Sequence, residues 1–236
     1  MDPVMHLETL SYLLRIRSDM QRRRLRMYIG DIRVERLACF IDGYRACLRA
    51  NGSESDEYER FTDWRRDIKQ DASGRDWPAE YLLNCHGDHE KAIRKYLDLV
   101  AEFIAVKDVA ATLQGRDAEA TAGRASDAGT LDVLCRVRQE LIQGQLAVPL
   151  CEASAECFET FVEGCHACLL ANGFADDEYG HFFEWLRDVK QEMPGEGWPA
   201  KFLRDCHGDH AQAIRKYLDF VAEFLGHRSG RENASR

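Results

Sequence analysis

Moved along itself by about 121 residues, the sequence lands on a second copy of itself, without a gap, from Leu10 to Phe103. From Phe40 onward roughly three positions in five are identical. Asn51-Gly52 falls on Asn172-Gly173, Trp64 on Trp185 and Trp77 on Trp198. Cys85-His86-Gly87-Asp88-His89 falls on Cys206-His207-Gly208-Asp209-His210. A unit of about 95 residues has the size of a small domain, so any fold must satisfy the same pattern twice.

The apolar spacing inside the unit is helical. Leu37, Phe40, Ile41, Tyr44 and Leu48 share one face of a helix over about Val34–Ala50, which stops at Asn51-Gly52. An earlier helix covers about Leu7–Arg26, with Met27-Tyr28-Ile29 as a short extended piece. A third starts near Asp56 and buries Tyr58, Phe61, Trp64 and Ile68; its counterpart uses Tyr179, Phe182, Trp185 and Val189. Trp77-Pro78 and Trp198-Pro199 open a short fourth helix, where proline suits the first turn. The last helix starts at Asp88 or Asp209 and runs to Phe103 or Phe224. The predicted fold is all-α, two tandem homologous helical bundles of four to five helices each. Residues 1–104 form the first module, 105–130 an Ala/Gly/Ser-rich linker, 131–226 the second module and 227–236 a flexible tail.

The net charge of −9 disfavours nucleic acid and anionic membranes as general partners and leaves a basic protein open as a partner. No apolar run approaches the roughly 18 residues that cross a bilayer, and the start lacks a basic-then-apolar leader, so a cytoplasmic location is expected. Nine cysteines, an odd number, cannot all pair within the chain. Cys39, Cys47, Cys157, Cys165 and Cys168 sit in helical apolar patterns and read as small packing residues.

The repeated corner supplies zinc-type ligand atoms: Cys85, His86 and His89, and Cys206, His207 and His210. Zinc is the one cofactor these residues suggest. Adjacent Cys and His on a helix end point about 100° apart, however, which is poor geometry for a shared ion. The competing reading explains more residues: Gly87 and Gly208 end one helix in a left-handed conformation, Asp88 and Asp209 cap the next, and the cysteines pack beneath. Glu178-Tyr179-Gly180-His181 has di-metal Glu-x-x-His spacing, but the first copy reads Glu57-Tyr58-Glu59-Arg60. Asp176, Asp177 and Glu178, with Asp56 and Glu57, are the surface carboxylates best placed to meet a basic partner. The basic segment Arg15, Arg17, Arg22, Arg23, Arg24 and Arg26 is the one candidate for nucleic acid, and a solvated or salt-bridged helix face is the stronger reading.

Arg24-Leu25-Arg26-Met27-Tyr28-Ile29-Gly30-Asp31 resembles a stretch near the start of gyrase-type ATPases, but Glu35 is followed four residues later by Cys39 rather than asparagine, and no glycine-rich lid follows. ATPase activity is rejected. Arg22 to Gly30, Phe40-Ile41-Asp42-Gly43-Tyr44, Trp77 and Gly87-Asp88 to Ala92 resemble small bacterial domains that are similar to proteins accompanying toxin systems. In the second copy the front part is replaced by Ala147-Val148-Pro149-Leu150-Cys151. That resemblance implies a bacterial immunity or regulatory protein and names no catalytic residue. The expected function is a non-enzymatic protein-binding module that masks a partner, with metal binding at the corners and nucleic-acid binding as alternatives.

Overall fold

The computed structural model describes residues 7–53, 55, 57–67, 77–114, 128–143 and 154–234. Among them the fold is all-α, with no strand. The helices are α1 (Thr9–Gln21), α2 (Arg26–Ile29), α3 (Val34–Ala50), α4 (Glu57–Asp67), α5 (Trp77–Asn84), α6 (His89–Gln114), α7 (Thr130–Gln143), α8 (Ala155–Ala171), α9 (Asp177–Glu184), α10 (Trp198–Asp205) and α11 (His210–Ala234). A π-helical turn over Trp185–Val189 follows α9. No helix among the described residues is long and apolar enough to cross a membrane.

α3 and α8 cross at the centre, in a contact more extensive than that of any other pair. Two glycines permit it. A Cβ built on Gly43 would stand 1.9 Å from the Phe161 carbonyl oxygen, and one on Gly164 would stand 2.1 Å from that of Phe40. The backbones therefore touch with no side chain between them. The Cys165 thiol donates to the Gly43 carbonyl at 3.2 Å across the same contact. Cys39 meets Cys157 towards the N-terminal ends and Cys47 meets Cys168 towards the C-terminal ends, so the two helices run in the same direction.

The residues that end the central helices also bind the halves together. The Asn51 side-chain amide donates to the Ala128 carbonyl, and the Ala128 N–H donates to Asn51 Oδ1, both at 3.1 Å. Reciprocally, the Leu7 N–H donates to Asn172 Oδ1. Each asparagine thus fastens the chain leading into the other half's first helix. Expected only as a helix stop, it is a clasp as well.

Around this centre the same aromatic layer recurs. Tyr96 lies 5.8 Å from Phe61 edge to face and stacks on Trp77 at 3.9 Å, while Tyr217 lies 5.7 Å from Phe182 and stacks on Trp198 at 4.2 Å. Arg17 reaches Asp98 at 2.7 Å, tying α1 to α6; Arg138 reaches Asp219 at 2.8 Å, tying α7 to α11. Buried apolar residues of both halves form one contiguous cluster.

Several expectations change. Met27-Tyr28-Ile29 is not extended but lies in the single helical turn α2, closed by Gly30 at φ +63°. α1 ends at Gln21, where Arg23 turns left-handed. The segment expected as linker begins as helix, because α6 runs to Gln114, and the expected tail is helical to Ala234. For α6, once packing has nucleated the helix, alanine-rich sequence without glycine or proline extends it at little cost. Asp56, Ile68, 115–127 and 147–151 lie outside the described residues.

In an ordinary helix interior, glycine to alanine gains about 1 kcal/mol. At the crossing the sign reverses, since the new methyl overlaps backbone that cannot swing aside. Gly43→Ala or Gly164→Ala should each destabilise by about 3 kcal/mol or more, read as a lower urea midpoint, whereas Gly180→Ala, with open space around it, should not.

Candidate functional site

The repeated corner joins α5 to α6 and α10 to α11. Gly87 and Gly208 stand at φ +82° and +87°, and their N–H groups donate back to the Leu82 and Leu203 carbonyls at 2.9 and 2.8 Å. This closes each helix with a reverse bond that satisfies a terminal carbonyl. Asp88 Oδ1 accepts from the Lys91 N–H and Asp209 Oδ1 from the Gln212 N–H, each at 3.0 Å. Those backbone donors hold both carboxyls below the usual carboxylate range. His86 and His207 share the left-handed turn, at φ 54°, and are exposed.

His89 and His210 do something the sequence did not suggest. His89 Nδ1 accepts the N–H of Val34, the first residue of α3, at 3.3 Å. His210 Nδ1 accepts the N–H of Ala155, the first residue of α8, at 3.1 Å. Each imidazole therefore satisfies an orphan donor at the start of a central helix, with its proton on Nε2. Cys85 and Cys206 are half-buried against the core. The candidate ligands thus diverge: one histidine lies in solvent, one is consumed as a cap and the cysteine turns inward. Among the described residues, no group of three or more His, Cys, Asp or Glu side chains is placed to hold a metal ion.

The acidic candidates separate in the same way. Asp176, expected on the surface, is buried. It accepts from the Thr130 hydroxyl at 2.5 Å and lies 2.9 Å from His166 Nδ1, so it serves the start of α7 rather than a partner. Glu178 pairs with Arg228 at 2.7 Å, and Glu57 pairs with Lys107. Asp177 is exposed as expected. In the arginine segment, Arg17 is committed to Asp98, while Arg22 and Arg26 lie 3.6 and 4.0 Å from Asp19 and Asp31.

What the structure does assemble is a cleft of about 1230 Å³, walled by α3, by α4 and α5, and by α7 with the first turn of α8. Six arginines, Arg36, Arg49 and Arg136 among them, line it with six carboxylates, among them Glu35, Asp42 and Glu140. Trp77, Val133, Val137 and Phe161 supply apolar surface. Among the lining arginines, the buried Arg65 guanidinium lies 5.3 Å from the centroids of both Phe61 and Tyr96, where ring faces offset part of the cost of burying the charge. No single stretch of sequence contains this surface, which is why linear motifs missed it.

Cys39 and Cys157 also line the cleft, as neighbours on α3 and α8. The neighbouring Cys39 thiol, the Ser154 hydroxyl and the Arg36 charge bring Cys157 down against the pull of burial. The Cys157 neighbour and burial push Cys39 up. No family model matches the chain, and no curated protein or solved structure matches it.

Replacing an N-cap acceptor costs about 1 kcal/mol. His89→Ala and His210→Ala should each lower stability by about that amount, measured by urea unfolding, with no change in metal content by elemental analysis. The hydrogen bond to Asp176 raises His166 above its ordinary value. Its stabilising contribution is then fully present below the unfolded histidine value of about 6.5 and fades as pH rises through the folded one. The stability difference between wild type and His166→Ala should therefore be larger at pH 5.5 than at pH 8.5, a trend that unfolding at the two pH values checks.

Proposed function

We propose that the protein is a non-enzymatic binding module that holds a segment of another protein in the cleft beside α3, as an immunity or regulatory protein masks its partner. The observation that carries this reading is the cleft itself. Its volume, about 1230 Å³, exceeds the roughly 300–1,000 Å³ typical of small-molecule sites. Its lining mixes both charges with apolar side chains, a composition suited to polypeptide. A chain segment brings amides, side chains of either sign and apolar groups to match it.

The mixed lining refines the expectation of a basic partner. Charge complementarity at this surface depends on the pattern of alternating signs rather than on the overall acidity of the chain. Paired opposite charges also orient an incoming segment and disfavour one with the wrong register.

Ala46 lines the cleft from α3, half-buried, so a large side chain there projects into the space a partner would use. Capture from a lysate of the native organism should retain a specific partner on wild type and lose it on Ala46→Trp, while the two proteins melt at the same temperature. The same partner held equally by both variants would place binding elsewhere and refute the cleft reading. Raising salt should weaken capture, since rim charges are screened within about 10 Å at 0.1 M.

A further inference from the structure

We infer that Cys157 and Cys39 form a peroxide-sensitive dithiol, with Cys157 as the attacking sulfur and Cys39 as the sulfur that resolves it into a disulfide tying α8 to α3. The two residues belong to different halves, and nothing in either repeat pairs them. Position 39 corresponds to Thr160 in the second copy, and position 157 corresponds to Arg36 in the first. They meet because the glycine crossing brings the helix axes together, and both line the same cleft as neighbours. A disulfide needs such close approach before any backbone moves.

Access and activation coincide at this pair. Both cysteines are partly exposed on the cleft wall. Cys157 lies in the first turn of α8, its own N–H bonded to the capping Ser154 hydroxyl at 3.1 Å. A helix N-terminus favours negative charge, and Arg36 adds to the positive field. That position favours a thiolate on Cys157 over one on Cys39, which lies beyond the first turn of α3. Cys47 and Cys168 are the internal comparison: they also face each other, but both are buried at the joint, and the Cys47 neighbour and burial push the Cys168 thiol up.

The chemistry balances with a hydroperoxide as oxidant. The Cys157 thiolate attacks one peroxide oxygen, so that an S–O bond forms, the O–O bond breaks, and hydroxide leaves and takes up the proton the thiol had released. The Cys39 sulfur then attacks the resulting sulfenic sulfur. The S–S bond forms, the S–O bond breaks, and the departing hydroxide carries off the Cys39 proton as water. The two sulfurs together lose two electrons, and hydrogen peroxide becomes two waters.

The test uses the full chain. One equivalent of hydrogen peroxide, a thiol-blocking quench and peptide mapping should give a Cys39–Cys157 linked peptide as the main product, reversed by dithiothreitol. In Cys39→Ser the link is lost, and Cys157 should accumulate as a sulfenic acid trapped by dimedone. At pH 6.5 iodoacetamide should modify Cys157 about tenfold faster than the similarly half-buried Cys85 and Cys206. The inference is overturned if Cys157 reacts no faster than those two, if it oxidises without linking to Cys39, or if a Cys47–Cys168 link predominates.

Discussion

Everything in this fold hangs on the direct backbone contact of α3 with α8. Gly43 and Gly164 remove the side chains that would hold two helices at the usual 8–10 Å between axes. Close approach multiplies weak dispersion contacts, each worth only about 0.1–0.2 kcal/mol, over the whole length of the crossing. It also sets where the flanking groups can reach. The asparagine clasps at Asn51 and Asn172 and the two cysteine pairs exist only because the helices cross at this distance and in this sense.

The histidines of the corner support that crossing from outside. Gly87 and Gly208 turn the chain, Asp88 and Asp209 start the next helix, and His89 and His210 then cap α3 and α8 at their first residues. A cluster that resembles a ligand set is thus a three-part joint. Its chemical richness comes from satisfying backbone donors and acceptors at one helix end and two helix starts.

The two halves repeat the aromatic layer closely and part company around the cleft. Arg45, Arg49 and Arg65 correspond to His166, Leu170 and Leu186. In the second half His166 turns to the buried Asp176, and Leu186 packs in the core without a charge to accommodate. The charged cleft therefore belongs to the face of α3, and the equivalent face of α8 has been given other work. Matching packing with a different lining separates the residues that hold the fold from those that line the cleft.

The helices themselves were legible in the sequence. Val34–Ala50 shows the bounds that the apolar face and Asn51-Gly52 predict, and the glycine–aspartate corner behaves as its residue types require. Local rules suffice there, because a helix, its caps and its stops depend on neighbours within a turn or two. Tertiary structure decided the rest. It chose α3 and α8 as the joint, buried Asp176, put Arg65 among aromatic rings, turned His89 and His210 into caps and brought Cys39 to Cys157. Each of those outcomes joins residues far apart in the chain. Their contact depends on how closely two helices approach, and helical periodicity carries no information about that distance.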